Sequence, residues 1–368
     1  MVVTSPSKEA ALNGICPYFT MFPLDFPFNI LKRRAQPGDT VLDPFCGRGT
    51  TNYAARLVGL DSLGVDSSPV AAAITASKLV TTIVEEILTE ADQILDEYEA
   101  QDIPSSEFWR WAYHPTVLDA VCRFREAFLE DCSTAPRIAL RGIVLGALHG
   151  PKQKTFPSYF SNQCPRTYAP KPAYATRYWQ ERGLTPESID VLSVIERRAK
   201  RYYETSSNIT GTVRLADSRA TGTLEHGTPG EHFDWVITSP PYYGMRTYIP
   251  DQWLRNWFVG GPDTVDYSSK GQLVHSSPDD FAEDLRQVWQ NAFNSCSEGA
   301  NLVIRFGGIT DRNVDPLALI KSSLADTGWR IKTARRAGSA KEGKRQADTF
   351  LRNRTKPIVE YDVWATNQ

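Results

Sequence analysis

The segment VLDPFCGRGTT (41–51) constrains the fold of this chain more than any other. An apolar run stops at Asp43, glycines follow at 47 and 49, and a helix-forming run begins at Thr50. Glycines so placed let the backbone turn sharply between a strand and a helix, with no Cβ in the way of a ligand. The next apolar run, SLGVD (62–66), ends in Asp66, seventeen residues past Gly49. A carboxylate at the end of a second strand is placed to take both hydroxyls of a ribose. Many such turns serve packing alone, but the acid at 66 favours a nucleoside-type cofactor. No G-x-x-x-x-G-K-[ST] occurs and the turn holds no lysine, which disfavours a triphosphate. Arg48 is its one basic residue and reads as solvent-facing.

Around that turn the chain alternates. Strands are expected at 39–43, 62–66, 212–217, 234–239, 301–306, 329–338 and 357–366. Helices are expected at 50–60, 69–100, 279–297 and 315–328. This pattern predicts an α/β fold, with a mostly parallel sheet and an antiparallel hairpin at one edge. The stretch 101–205 breaks it, being aromatic and helical with an irregular middle at 150–176. It reads as an insertion between the second and third strands. The expected division is 1–100 and 206–368 for the two parts of the core and 101–205 for the insertion.

Composition narrows the class. Lys and Arg total 41 against 43 Asp and Glu, so net charge announces no polyanion partner, and any such contact must come from local basic patches. No apolar run nears the roughly 20 residues of a membrane span, and MVVTSPSKEAALNG lacks a secretory pattern, which points to the cytosol and to no membrane partner. The six cysteines show no C-x-x-C pair, and the five histidines (114, 149, 226, 232, 275) show no ligand spacing. Reduced thiols and no metal are therefore expected.

The second informative turn is SPPY (239–242), which ends the strand DWVITS. Pro240 and Pro241 fix φ and remove two backbone donors, while their carbonyls remain as acceptors. Such a frame suits a substrate that offers N–H groups, such as the exocyclic amino group of a base, and Tyr242 adds a face for stacking. The amino nitrogen is nucleophilic only as it pyramidalises. Acceptors at Ser239 Oγ and the Pro240 carbonyl favour that geometry and take up the developing positive charge. No cysteine nucleophile follows Pro241, so methylation at a ring carbon is disfavoured. A surface turn at a strand end is the plain alternative. It weakens if both turns lie at the carboxyl ends of one sheet.

DPFCGRGTT followed by TSPPY resembles the amino-group DNA methyltransferases, above all the N4-cytosine type. The resemblance implies a Rossmann-like sheet of the S-adenosylmethionine-dependent methyltransferase kind. It implies that Asp43, Pro44, Phe45, Gly47, Gly49 and Thr50 wrap the methionine part of S-adenosylmethionine. Asp66 falls at the place of the ribose-binding acid and Asp217 at that of the adenine-contacting acid. Ser239, Pro240, Pro241 and Tyr242 fall on the catalytic motif, which holds a flipped base. The segment 21–39 resembles one that closes over the cofactor. Serine before Pro-Pro leans to cytosine N4; adenine N6 is the alternative. The cofactor motif precedes the catalytic one, the reverse of many S-P-P-Y members, so the site of DNA reading does not carry over.

Double-stranded DNA is the implied substrate, with a cognate restriction endonuclease as an implied partner. Two segments are basic. In 150–182, Lys152, Lys154, Arg166, Lys171, Arg177 and Arg182 face only Glu181, with Tyr159, Phe160, Tyr168 and Tyr178 interleaved and Asn162 and Gln163 as base readers. The other, 330–356, holds ten Lys or Arg against Glu342 and Asp348. A solvated face with buried rings is the alternative for each. Arg246 is a further DNA contact. Arg246, Trp253 and Trp257 either shape the base pocket or, for the tryptophans, fill core. A tRNA guanine-N2 methyltransferase and an inactive DNA-recognition subunit are the rival functions.

Overall fold

The structure is a computed structural model that describes residues 8–18, 22–150, 158–164, 170–204, 211–244, 248–268, 271–308, 314–339 and 359–367. In chain order it holds α1 (Asp25–Arg34), β1 (Thr40–Asp43), α2 (Thr50–Val58), β2 (Asp61–Asp66), α3 (Pro69–Leu79), α4 (Val84–Glu97) and α5 (Glu107–Ala112). There follow α6 (Pro115–Glu130), α7 (Ala135–Ala147), α8 (Pro172–Gln180), α9 (Val191–Tyr203), β3 (Thr212–Leu215), β4 (Phe233–Thr238), α10 (Tyr248–Asp251) and α11 (Trp253–Phe258). The chain closes with α12 (Pro278–Asn294), β5 (Cys296–Gly307), α13 (Pro316–Leu324), β6 (Trp329–Ser339) and β7 (Val359–Asn367). Two compact units form. One comprises 18–75, 209–246 and 269–368; the other comprises 1–17, 76–208 and 247–268.

The first unit is the sheet. Its strand order is β3-β2-β1-β4-β5-β7-β6. The five strands from β3 to β5 are parallel, and β7 runs antiparallel to both β5 and β6. This is the expected Rossmann-like, mostly parallel sheet with its antiparallel edge pair. Alternation along the strands divides the core between two faces. Val41, Trp235, Ile237 and Val303 pack with Leu31, Ala54 and Ala55 of α1 and α2. Their neighbours Leu42, Val236, Leu302 and Ile304 pack with Phe281, Leu285 and Trp289 of α12 and with Ile320 of α13. The chain leaves β1 toward β2 and β3, then returns to β4 on the other side of β1. In open α/β sheets such a reversal, here beyond the carboxyl ends of β1 and β4, is where ligands bind.

The second unit is helical, and its core is aromatic. Trp109, Trp179, Trp253 and Trp257 are fully buried, with Trp109 and Trp257 rings 4.3 Å apart. Its extent differs from the expected insertion because polar anchors recruit distant segments. Arg255 donates from Nη1 to the Pro17 carbonyl at 2.5 Å and from Nε to that of Leu145 at 3.3 Å. Lys171 pairs with Asp251 at 3.0 Å, and Trp253 Nε1 donates to the Pro170 carbonyl at 2.8 Å. The helix expected over 69–100 is two helices. The β-branched run Val80–Val84 interrupts it, and Glu86 caps the restart by accepting from Thr82 Oγ1 at 2.7 Å and Ile83 N at 3.4 Å.

Trp289 joins the helices α12 and α13 to β6. Its Nε1 donates to Ser323 Oγ at 3.0 Å, and its carbonyl accepts from Trp329 Nε1 at 2.9 Å. Trp289→Ala is expected to lower the unfolding free energy by about 3–5 kcal/mol, and Trp289→Phe by less. Urea unfolding of the two variants checks this; equal, small losses would contradict it.

Candidate active site

The cofactor turn begins where β1 stops at Asp43, whose side chain is fully buried. Asp43 Oδ1 accepts from Thr238 Oγ1 at 2.6 Å and from the Phe45 N–H at 3.1 Å. Its Oδ2 is buried with no hydrogen-bond partner among the described residues. Burial pushes the Asp43 carboxyl up to about 6, against the pull of the Thr238 and Thr51 hydroxyls and the Phe45 N–H; the charge of Asp66 adds a little. The turn then passes through Gly47 at φ 51° and Gly49 at φ 71°. A Cβ at Gly49 would stand 2.6 Å from the Thr75 side chain, whereas one at Gly47 would meet only the Phe45 carbonyl, at 4.0 Å. Gly49 is thus required by packing and conformation together, and Gly47 leaves open space. No side chain caps the start of α2 at Thr50, so its first N–H groups stay available to an anion.

Asp66 ends β2 and clasps the turn. Oδ2 accepts from the Gly47 N–H and Oδ1 from the Ser68 N–H, both at 2.9 Å. Burial raises its pKa although those N–H groups lower it. Phe45 turns toward the core, edge-on to Trp289 at 6.0 Å. The Pro44 carbonyl accepts from Ser218 Oγ at 2.6 Å, which ties the turn to the end of β3. Asp217, one residue earlier, is closed in a fork with Arg219, Nη2 to Oδ2 at 2.6 Å and Nε to Oδ1 at 3.0 Å. The fork holds its carboxyl below the usual range. Asp284 braces Arg219 from the far side at 2.8 Å.

S-adenosylmethionine carries an ammonium, a sulfonium and a carboxylate. The turn offers two acids, the buried Asp43 with an unpaired oxygen and the half-buried Asp66, together with a glycine floor and an uncapped helix start. These groups fit the cofactor in charge and shape.

The second turn lies on the neighbouring strand. β1 pairs with β4 at Val41↔Trp235 and Leu42↔Val236, so Asp43 and Thr238 end the two strands side by side. Ser239 follows directly. It is half-buried, and its hydroxyl is hydrogen-bonded to none of the described residues; Pro240 is buried. Tyr242 donates its hydroxyl to Glu360 Oε1 at 2.5 Å and packs edge-on to Phe306. The Gly244 N–H donates to His275 Nδ1 at 3.0 Å, and the His275, Tyr243 and Phe281 rings pack against one another. Sequence reasoning missed Thr238, Glu360 and His275. Thr238 could have been found, because a threonine before Ser239 is aligned with Asp43 by register.

The expected DNA contacts divide. Lys152, Lys154, Arg166, Tyr168 and Arg246, and residues 340–358, lie outside the described residues. Tyr159 and Phe160 are buried at 5% and 1% exposure, so neither ring is offered to a ligand. Asn162 donates to the Trp111 and Leu184 carbonyls at 3.2 and 2.6 Å and so ties its segment to α5 and to the residues after α8 rather than reading a base edge. Trp253 and Trp257 are core. Arg177 is exposed on α8, and beside it Tyr174 stacks on Tyr178, with Arg182 over the Tyr178 ring at 4.2 Å. Lys171 is bound to Asp251 and the Pro250 carbonyl. All six cysteines are free thiols. Among the described residues no cluster suits a metal, and no helix is long and apolar enough to cross a membrane.

Comparison with known proteins gives a family model described as DNA methylase, matched over residues 3–77. The Type II methyltransferase M.MjaII of Methanocaldococcus jannaschii is 38% identical over 78 residues, 21% of this chain and 15% of that protein. M.BsoBI of Geobacillus stearothermophilus is 40% identical over 71 residues, 19% of this chain and 14% of that protein. The aligned part is thus about one seventh of those relatives. Among solved structures, the rRNA methyltransferase aviRa of Streptomyces viridochromogenes is 12% identical, covers 99% of this chain and 94% of its own, and has a TM-score of 0.39. The family match contains the Asp43–Thr50 turn and Asp66 and ends before Ser239. It agrees with the resemblance drawn from the first motif, and with S-adenosylmethionine as the cofactor.

Because burial raises Asp43, the folded chain binds its proton more tightly than the unfolded one. The carboxylate therefore costs stability as pH rises through the window from about 4 to about 6. Asn does not titrate. The stability of the parent protein relative to Asp43→Asn is expected to fall by up to about 3 kcal/mol between pH 4 and 7. Urea unfolding across that range checks it, and a pH-independent difference would contradict it.

Proposed function

We propose that the protein methylates the exocyclic amino group of a flipped base in double-stranded DNA, cytosine N4 before adenine N6, a reading supported by the match of residues 3–77 to a family model described as DNA methylase. One observation carries the reading. The cofactor turn and the Ser239 turn leave adjacent parallel strands at the same end of the sheet, joined by the 2.6 Å hydrogen bond from Thr238 to Asp43. A donor held over Gly47 therefore lies beside an acceptor frame that begins one residue after Thr238.

S-adenosylmethionine supplies an activated methyl carbon. Asp43 Oδ2 is the acceptor left for its ammonium, and the start of α2 for its carboxylate. Asp66 stands at the ribose, although both of its oxygens already hold backbone N–H groups. Asp217 serves the adenine through the oxygen surface left beside Arg219. Ser239 Oγ and the Pro240 carbonyl accept the two amino protons of the base, draw the nitrogen toward pyramidal geometry and stabilise the charge that develops as it gains the methyl group. One proton then leaves to solvent. Arg177, Arg182 and the Tyr174–Tyr178 pair form a phosphate- and base-facing surface on α8, and Lys152, Lys154, Arg166, Lys171 and Arg246 are further DNA contacts. Such an enzyme works in the cytoplasm on the nucleoid, alone or beside a restriction endonuclease.

Ser239→Ala and Tyr242→Ala are each expected to lower turnover by about a hundredfold or more while cofactor affinity changes less than about threefold. Single-molecule sequencing of DNA from cells expressing the gene reports base and motif together. The reading fails if both variants turn over at the parent rate, or if no modified base appears in DNA from cells making the parent protein.

A further inference from the structure

Tyr242 belongs to the Ser239 turn, yet groups outside that turn fix its ring. The hydroxyl donates to Glu360 on β7. The ring meets Phe306 of β5 edge-on, with centroids 5.4 Å apart and planes at 75°. Gly307 leaves the room: a Cβ there would stand 3.2 Å from two ring carbons of Tyr242 and 3.0 Å from Glu360 Cγ. Gly307 and Glu360 are direct partners across the β5–β7 ladder. Sheet pairing, rather than a loop, thus sets the position of the carboxylate. Groups on paired strands are held more closely than groups on loops.

Glu360 is only 4% exposed, on a strand whose neighbouring residues are mostly apolar. Burying a carboxylate is costly, and glutamine would accept the same proton at lower cost. A ring held in this way loses little rotamer freedom when a base arrives.

We infer that Glu360 is a positioning residue that sets the tilt of the Tyr242 ring, and through it the plane in which the base is held. This rests on the Ser239 turn as the base site. Tyr242 is then a fixed wall against which the base is seated, and the pair Gly307–Glu360 governs which base lies flat against it.

Three variants test the inference: Glu360→Ala, Glu360→Gln and Gly307→Ala. Methyl transfer is read from radiolabelled S-adenosylmethionine to unmethylated DNA made by polymerase amplification, and S-adenosylhomocysteine affinity by calorimetry. Glu360→Ala is expected to lower kcat about tenfold to a hundredfold, with S-adenosylhomocysteine affinity unchanged. Glu360→Gln keeps an acceptor oxygen and should stay within about threefold of the parent; Gly307→Ala should fall between. The ring is followed separately by fluorine resonance of protein made with 3-fluorotyrosine, the Tyr242 signal being assigned by its loss in Tyr242→Phe. That signal should move in Glu360→Ala and much less in Glu360→Gln. An unmoved signal, a parent-level kcat in Glu360→Ala, or equal loss of kcat and S-adenosylhomocysteine affinity overturns the inference. A parent protein that methylates no DNA sinks the base site itself, whereas the fluorine signal still decides whether Glu360 sets the ring.

Discussion

The hydrogen bond between Thr238 and Asp43 joins the last residue of β4 to the last residue of β1, at the place where the sheet reverses its winding. Each side chain needs the other. Asp43 is buried to 1% exposure and Thr238 completely, so neither has water to turn to. The bond fixes the start of both turns relative to one another, because Phe45 N–H and Ser239 lie directly downstream. It also leaves Asp43 Oδ2 with no hydrogen-bond partner among the described residues.

Around that bond, further contacts converge on the turns from every neighbouring strand. Asp66 from β2 holds Gly47, Ser218 after β3 holds Pro44, and Glu360 from β7 holds Tyr242. Each partner lies within three residues of a strand end or is paired in the ladder. The parallel sheet therefore does more than carry the loops. Its register determines which side chain meets which turn, and a one-residue slip would carry Asp43, Thr238 and Glu360 to the wrong face.

Much of this was legible in the sequence for reasons of period and turn chemistry. β1, α2 and β2 are bounded by Gly49, Gly59 and Asp66, which are local signals. Runs of five to ten residues mark the strands, although β5 extends back to Cys296 through a segment, SEGA, that looks like a turn. The helix over 69–100 was read through Val80–Val84, where β-branched residues break it. Glu360 was read only as one letter in a strand, because its meaning lies in a pairing with Gly307 more than fifty residues away. Asp217 was matched to its place, but Arg219, two residues on, was not seen to close over it. The composition of the helical unit was hidden for the same reason. Arg255 binds Pro17 and Leu145, and no local pattern announces such a contact.

The account stands on the cofactor turn presenting its donor to the Ser239 turn. The most direct measurement is a crystal structure of the protein with S-adenosylhomocysteine, whose sulfur marks where the methyl group departs. The sulfur is expected above Gly47, facing the space between Ser239 and Pro240, with the ligand's ammonium on Asp43 Oδ2. Density for the ligand away from Gly47, or a sulfur directed away from Ser239, would contradict it.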